Sequence, residues 1–119
     1  MTQTQPVRYA GPYVSGEIPL TFTVKFDPTD IDFTGYTVEA TLSDQDNTAL
    51  TFTGSVAWND IALGIVDVNL AAADTTLVGA VEHETRRLMI WAGDAGTNLV
   101  ATVLIKYGID AAVGTPPAI

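Results

Sequence analysis

The stretch LTFTVKF at residues 20–26 alternates apolar and polar residues, and after an acidic turn the stretch FTGYTVEATL at residues 33–42 alternates again. A period of two places one set of side chains on a core face and the other toward solvent, which a helix of about 3.6 residues per turn cannot do. The two stretches therefore predict antiparallel, half-buried β-strands.

The same pattern continues along the chain, with turn residues between the apolar runs. Strands are predicted at 20–26, 36–43, 49–58, 65–70, 87–92 and 99–107. Short strands separated by turns indicate an all-β fold, an immunoglobulin-like antiparallel β-sandwich of six to seven strands, with a barrel as second choice. The segment AAADTTLVG at 71–79 favours one short helical turn that ends at Gly79.

Prolines and glycines interrupt the two ends of the chain, whereas the middle contains the predicted strands. Residues 1–18 are predicted to form an extended N-terminal arm, because prolines and glycines interrupt them throughout. Residues 19–109 form the predicted β-sandwich domain. Residues 110–119, which end in TPPAI, are predicted to form an irregular C-terminal tail, since such a segment cannot join the interior of a sheet.

Composition limits the classes of partner. The 119 residues suit one domain, and 14 acidic against 5 basic residues give a formal net charge of −9, which argues against nucleic acid. We find no secretory signal and no apolar run of the roughly 18 to 20 residues that span a bilayer, so we expect no membrane contact and synthesis in the cytoplasm. Because 47% of the residues are hydrophobic, we expect part of the surface to be buried against other subunits, and a homo-oligomer is one such arrangement.

The residues offer little catalytic chemistry. His83 is the single histidine, lies between Glu82 and Glu84, and is interpreted as a solvated residue before a strand. There is no cysteine, no serine in a nucleophile-elbow pattern and no glycine-rich phosphate loop. We therefore predict that the protein is not an enzyme and has no catalytic residue, no metal and no cofactor. The pair Arg86-Arg87 is interpreted as capping a strand edge or binding a carboxylate.

Two turns are rich in aspartate. Asp27, Asp30 and Asp32 occupy one of them, and Asp44 and Asp46 the other. Clustered carboxylates can bind Ca²⁺ or serve glycoside hydrolysis, but neither turn has the twelve-residue loop of a common calcium site. We interpret these aspartates as turn formers, which bond to their own backbone.

Aromatic residues suggest a second class of function. Trp58, Trp91, Tyr13, Tyr36 and Tyr107 are candidates for a sugar-binding platform. Trp91 lies in an apolar strand, where core or interface contact is the ordinary interpretation, whereas Trp58 stands at a strand end. A carbohydrate-binding module is therefore the alternative from another class.

Three segments carry a family resemblance. GEIPL at 16–20 leads into the first alternating strand, DFTGYTV follows at 32–38, and a glycine-led strand runs over 64–70. Together they resemble the immunoglobulin-like domain at the amino terminus of the baseplate upper proteins of tailed bacteriophages. The segment 71–79 and the closing hairpin from Leu88 to Ile105 are similar to the same family, and the resemblance covers roughly residues 12–109.

The resemblance implies a structural protein of the virion. Baseplate upper proteins continue into receptor-carrying segments, whereas this sequence stops at Ile119 and looks like a free-standing capsid decoration, or cement, protein. The implied location is the virion, on the capsid surface, and the implied partners are the major capsid protein or copies of the chain itself. A tail or baseplate component is the alternative within this class. The residues expected to mediate such protein–protein interaction are Tyr9, Tyr13, Met89, Trp91, Trp58 and Ile119.

Overall fold

The computed structural model describes residues 7–26, 32–78, 81–94 and 98–111. They form an all-β sandwich of eight strands with one 3₁₀ turn at Ala72–Thr75. The strands are β1 (Val7–Val14), β2 (Phe22–Lys25), β3 (Thr37–Asp44), β4 (Ala49–Leu50), β5 (Ser55–Asp60), β6 (Ile65–Asn69), β7 (His83–Asp94) and β8 (Asn98–Asp110). The predicted fold class is confirmed. Within the described ranges, no helix has the length and apolar character needed to cross a bilayer.

The strands form two sheets. The larger has the order β1-β8-β7-β3-β4 and the smaller the order β2-β6-β5. All neighbours are antiparallel except β1, which runs parallel to β8. Without β1 and β4, the two sheets have the C-F-G and B-E-D order of an immunoglobulin-like sandwich.

The core lies between the sheets and follows the alternation of the strands. Phe22 and Val24 of β2 stand opposite Val68 and Val66 of β6, and Val24 and the two β6 valines are buried. From the larger sheet, β7 buries Leu88, Ile90 and Ala92 and β8 buries its odd-numbered residues from 101 to 109. Phe26 and Phe33 fill one end, with ring centroids 5.3 Å apart.

One predicted strand is two strands in different sheets. Residues 49–58 were expected to run continuously, but β4 pairs with β3 in the larger sheet and β5 pairs with β6 in the smaller one. The break at 51–54 has a physical cause: the carboxylate of Asp74 accepts the backbone N–H groups of Thr53 (2.8 Å) and Gly54 (2.7 Å). The chain crosses from one sheet to the other at this point.

The predicted N-terminal arm is largely a regular element. Residues 7–14 form β1, which is extended as expected but belongs to the larger sheet and is not a separate arm, while residues 1–6 lie outside the described part of the chain. Gly11 and Pro12 fall in the register irregularity between Ala10 and Tyr13, where the chain needs no continuous ladder. At the other end, β8 runs to Asp110, which was expected in the tail, and residues 112–119 are not described.

The predicted helical turn is the 3₁₀ turn, although it ends at Thr75 and not at Gly79, which is not described. A buried polar network fixes it. Arg86, 3% exposed, donates to the carbonyl oxygens of Asp74 (2.8 Å) and Thr76 (2.6 Å), and the Tyr107 hydroxyl donates to the same Asp74 carbonyl at 2.7 Å. Burial raises the pKa of the Tyr107 phenol above its ordinary value of 10.0. The network ties the connection between β6 and β7 to the larger sheet.

Candidate functional site

The side of the larger sheet that faces away from the core is the candidate site, and we call it the outer face. It is defined by Tyr9 of β1, Thr41 of β3, Arg87, Met89 and Trp91 of β7, and Leu104 and Lys106 of β8. Strand alternation places these residues there, because their sequence neighbours Leu88, Ile90 and Ile105 are fully buried in the core.

Apolar side chains occupy the middle of the outer face. Met89 stands opposite Leu104, and Trp91 stands opposite Thr102 on one side and Glu39 on the other. Leu104 is only 6% exposed although it does not point into the core. The neighbouring side chains of the outer face therefore cover it, and the apolar centre is closely filled.

A row of polar side chains crosses the same face beside the apolar centre. Arg87 stands opposite Lys106 on β8 and opposite Ser43 on β3, and Lys106 in turn stands opposite Tyr9 on β1. The Arg87 guanidinium donates to Asn47 Oδ1 at 3.0 Å, whereas its buried Nε–H has no acceptor among the described residues. The row thus presents two positive charges side by side.

Two hollows flank this row. One, of about 490 Å³, lies over β1 and β8 and is lined by Tyr9, Pro12, His83, Thr85, Lys106 and Gly108 among others. The other, of about 250 Å³, lies over β3 and β7 and is lined by Thr41, Ser43, Asn47, Arg87, Met89 and Leu104 among others. The outer face is therefore not flat, and each hollow contains one of the two cations.

His83 forms an ion pair at the border of the larger hollow. Its Nδ1 lies 2.6 Å from Asp110 Oδ1, and its Nε2 lies 3.3 Å from the Thr85 hydroxyl. A carboxylate, an imidazole and a hydroxyl bonded in this order resemble a proton relay. The His83 and Asp110 side chains, however, are 56% and 50% exposed. Water competes for such groups and weakens the pair. We interpret the pair as a clasp between the start of β7 and the end of β8.

The residues predicted to bind partners do not all lie together. Tyr9, Met89 and Trp91 share the outer face, and Tyr9 is 79% exposed. Tyr13 lies on the opposite side of the sheet, where its ring centroid is 5.9 Å from that of Tyr107, so it belongs with the core. Ile119 lies outside the described residues.

Trp58 packs against the aromatic residues at one end of the core. Its indole N–H donates to the Tyr36 carbonyl at 3.0 Å, and its ring lies 5.4 Å from Phe33 and 5.8 Å from Phe26. The ring thus packs against the core and is only partly buried.

The aspartates of the two turns are engaged locally where they are described. Asp44 Oδ1 accepts the backbone N–H groups of Asp46 (2.8 Å) and Thr48 (2.9 Å). Asp32 accepts from the hydroxyl and backbone N–H of Thr34, and these bonds lower the pKa of its carboxyl. Asp27 and Asp30 are not described. Among the described residues, no three metal-ligating side chains are grouped.

Sequence reasoning missed the residues that matter most on the outer face. It identified Met89 and Trp91 from the apolar strand, but Leu104 and Lys106 join them only through the register of β7 on β8. The dipeptide Arg86-Arg87 was interpreted as one unit, and alternation separates it: Arg86 is buried and bonded to Glu84 at 3.0 Å, while Arg87 lies outside. The predicted carboxylate contact is confirmed for Arg86.

Comparisons with known proteins assign no family. A scan of the chain against protein-family models finds no match, and a search of curated proteins finds no relative.

Proposed function

We propose that the chain is a non-catalytic structural protein of a tailed-phage virion, which decorates and stabilises the head by binding the capsid shell through its outer face. One observation carries the proposal: the central strands β7 and β8 bear apolar side chains on both faces. Leu88, Ile90 and Ile105 face the core, and Met89, Trp91 and Leu104 face outward. A sheet with apolar residues on both sides is ordinarily covered on both sides.

The resemblance of segments 16–20, 32–38 and 64–70 to baseplate upper proteins supports a virion context. A decoration subunit binds a repeated lattice, so modest contacts at each site suffice when many copies bind together. The major capsid protein is the proposed partner. The outer face also suits contacts between copies of the chain, and a tail or baseplate position remains the alternative within the same class.

The chain offers a direct test with a matched pair of substitutions. Met89→Glu places a charge in the apolar centre of the outer face, whereas Leu20→Glu makes the same change at a side chain that is 91% exposed and precedes the smaller sheet. Heads assembled without the chain are mixed with each purified protein, and co-sedimentation gives the affinity. We expect Met89→Glu to weaken binding at least about tenfold and Leu20→Glu to bind as the wild type does.

Thermal melts of both variants accompany the assay and show that each is folded. Heads carrying the wild-type chain are expected to resist heating better than bare heads. Failure of the wild-type chain to bind heads, or equal binding by both variants, contradicts the proposal.

A further inference from the structure

Two like charges stand directly opposite each other on the outer face. Arg87 and Lys106 form a cross-strand pair between β7 and β8, in a chain with only 5 basic residues against 14 acidic ones. Like charges in this arrangement repel and destabilise a sheet. Among the described residues neither cation forms an ion pair, although the chain is acidic; Asp110 lines the same hollow as Lys106 but is bonded to His83.

Among the described contacts, neither cation is paired with an acid. Within the described ranges, the ion pairs join His83 to Asp110 and Arg86 to Glu84. Glu39, which shares the outer face, stands opposite Trp91, four residues along β7 from Arg87, or roughly 13 Å at the rise of a strand. Among the described residues, Arg87 therefore bonds only the neutral Asn47 oxygen, and its buried Nε–H has no acceptor there.

The surroundings of the pair restrict what can approach it. The row Ser43, Arg87, Lys106, Tyr9 crosses four strands, a distance of about 14 Å at the usual strand spacing. The hollows of about 250 Å³ and 490 Å³ lie toward its two ends, and Met89 and Leu104 border it along the strands. The site therefore combines a fork of N–H donors and an ammonium with an apolar floor.

We propose that the outer face binds an extended segment of its partner that carries an aspartate or glutamate with an apolar residue two positions away on each side, the carboxylate being seated between Arg87 and Lys106. The guanidinium fork matches a carboxylate, and the ammonium of Lys106 supplies the second positive charge. The apolar residues two positions from the carboxylate lie on the same side of the segment and cover Met89, beside Leu104, which is already buried. The identification of the partner as the capsid subunit rests on the proposed function, but the chemistry of the seat does not.

A carboxylate on a protein fits better than a phosphate of nucleic acid. The formal net charge of −9 repels a polyanion, whereas a single carboxylate meets only the local field of the two cations. Nucleic acids are recognised through clustered basic residues, and the other exposed cations, Arg8 and Lys25, lie off the outer face.

The first experiment uses the shell-binding assay with two double variants of equal charge. Arg87→Gln with Lys106→Gln removes the seat, and Arg8→Gln with Lys25→Gln removes the same two charges elsewhere. We expect the first to lose at least about thirty-fold in affinity and to lose the salt dependence of binding, and the second to retain both. Thermal melts of both variants show that the fold is intact.

The second experiment needs no shell. The wild-type chain is titrated with acetyl-Leu-Thr-Glu-Thr-Leu-amide and, separately, with the same peptide containing glutamine, while NMR follows the Nε–Hε signal of Arg87 and the amides of Arg87 and Lys106. We expect the glutamate peptide to shift all these signals in the wild type and to leave the backbone amides of positions 87 and 106 in place in the Arg87→Gln, Lys106→Gln variant. The glutamine peptide should leave them in place.

The two experiments separate this inference from the proposed function. If heads bind the Arg87→Gln, Lys106→Gln variant as tightly as the wild type, the carboxylate seat is wrong although the virion role stands. If heads do not bind the wild type but the glutamate peptide shifts Arg87, the seat stands and the virion role fails. Equal shifts with both peptides, or shifts in neither case, overturn the seat.

Discussion

At the scale of single residues, the β5–β6 turn depends on Gly64. Its φ of +71° is in the left-handed region, and a Cβ there would lie 2.6 Å from Cε2 of the fully buried Phe33. Phe33 in turn packs against Phe26 and Trp58, so it cannot move without opening that end of the core. Gly64 is thus required for two separate reasons, backbone conformation and close approach.

Alanine substitutions distinguish these two reasons. Gly35 has a φ of +91° and open space around its Cα, so Gly35→Ala incurs the conformational cost alone, about 1 kcal/mol in the free energy of unfolding. Gly64→Ala adds the clash with Phe33, and we expect about 3 kcal/mol in total. Urea unfolding measures both. Equal losses for the two variants would show that Phe33 does not enforce the close approach.

At the scale of elements, β1 completes the larger sheet. Ala10 and Tyr13 pack against the core, and β1 supplies the parallel partner of β8. The segment that follows β1 is also fixed: Ser15 donates its backbone N–H to the Asp110 carbonyl at 2.9 Å, and Gly16 donates to the Thr75 carbonyl at 3.0 Å. The strand is therefore part of the folded domain.

Removal of residues 1–14 tests this description of β1. The deletion exposes Tyr107 and leaves the edge of β8 unpaired, so we expect a loss of about 3 kcal/mol or more in the free energy of unfolding. Arg8→Ala, at an exposed side chain of the same strand, should change it by no more than about 0.5 kcal/mol. Urea unfolding compares the two. A truncated chain as stable as the wild type would mean that β1 does not contribute to the domain.

The elements also show where sequence reasoning succeeds. Period-two alternation at 20–26 and 33–42 predicted β2 and β3 with small errors at their ends, because each has one buried face. It failed at β1, where Gly11 and Pro12 were interpreted as breaking regular structure, although an edge strand tolerates both at an irregularity. It also failed at 49–58, because the break there depends on Asp74, about 20 residues away.

The candidate site was predicted less completely, for a related reason. Met89 and Trp91 could be identified within one apolar strand, whereas the opposition of Arg87 and Lys106 depends on how β7 pairs with β8. The register of that pair shifts between Ala92 and Gly93, and a shift of one residue would move Lys106 to the other face. No local pattern in either strand contains this information.

At the scale of the whole molecule, the two sides of the larger sheet have different roles. The inner side of β7 and β8 holds the core and the network of Arg86, Asp74 and Tyr107. The outer side holds an apolar centre beside two cations that form no ion pair with any described residue. A sheet that packs its inner side into the core and carries apolar side chains and two cations on its outer side suits a protein that binds another protein.

The most direct measurement of the proposed role is the copy number of the chain in virions, obtained by quantitative mass spectrometry of purified particles of the phage that we propose encodes it. We expect a near-integer ratio to the major capsid protein, which amounts to hundreds of copies per particle. A count of about six to a few dozen would move the chain to the tail or baseplate. Absence from the virion would contradict the account.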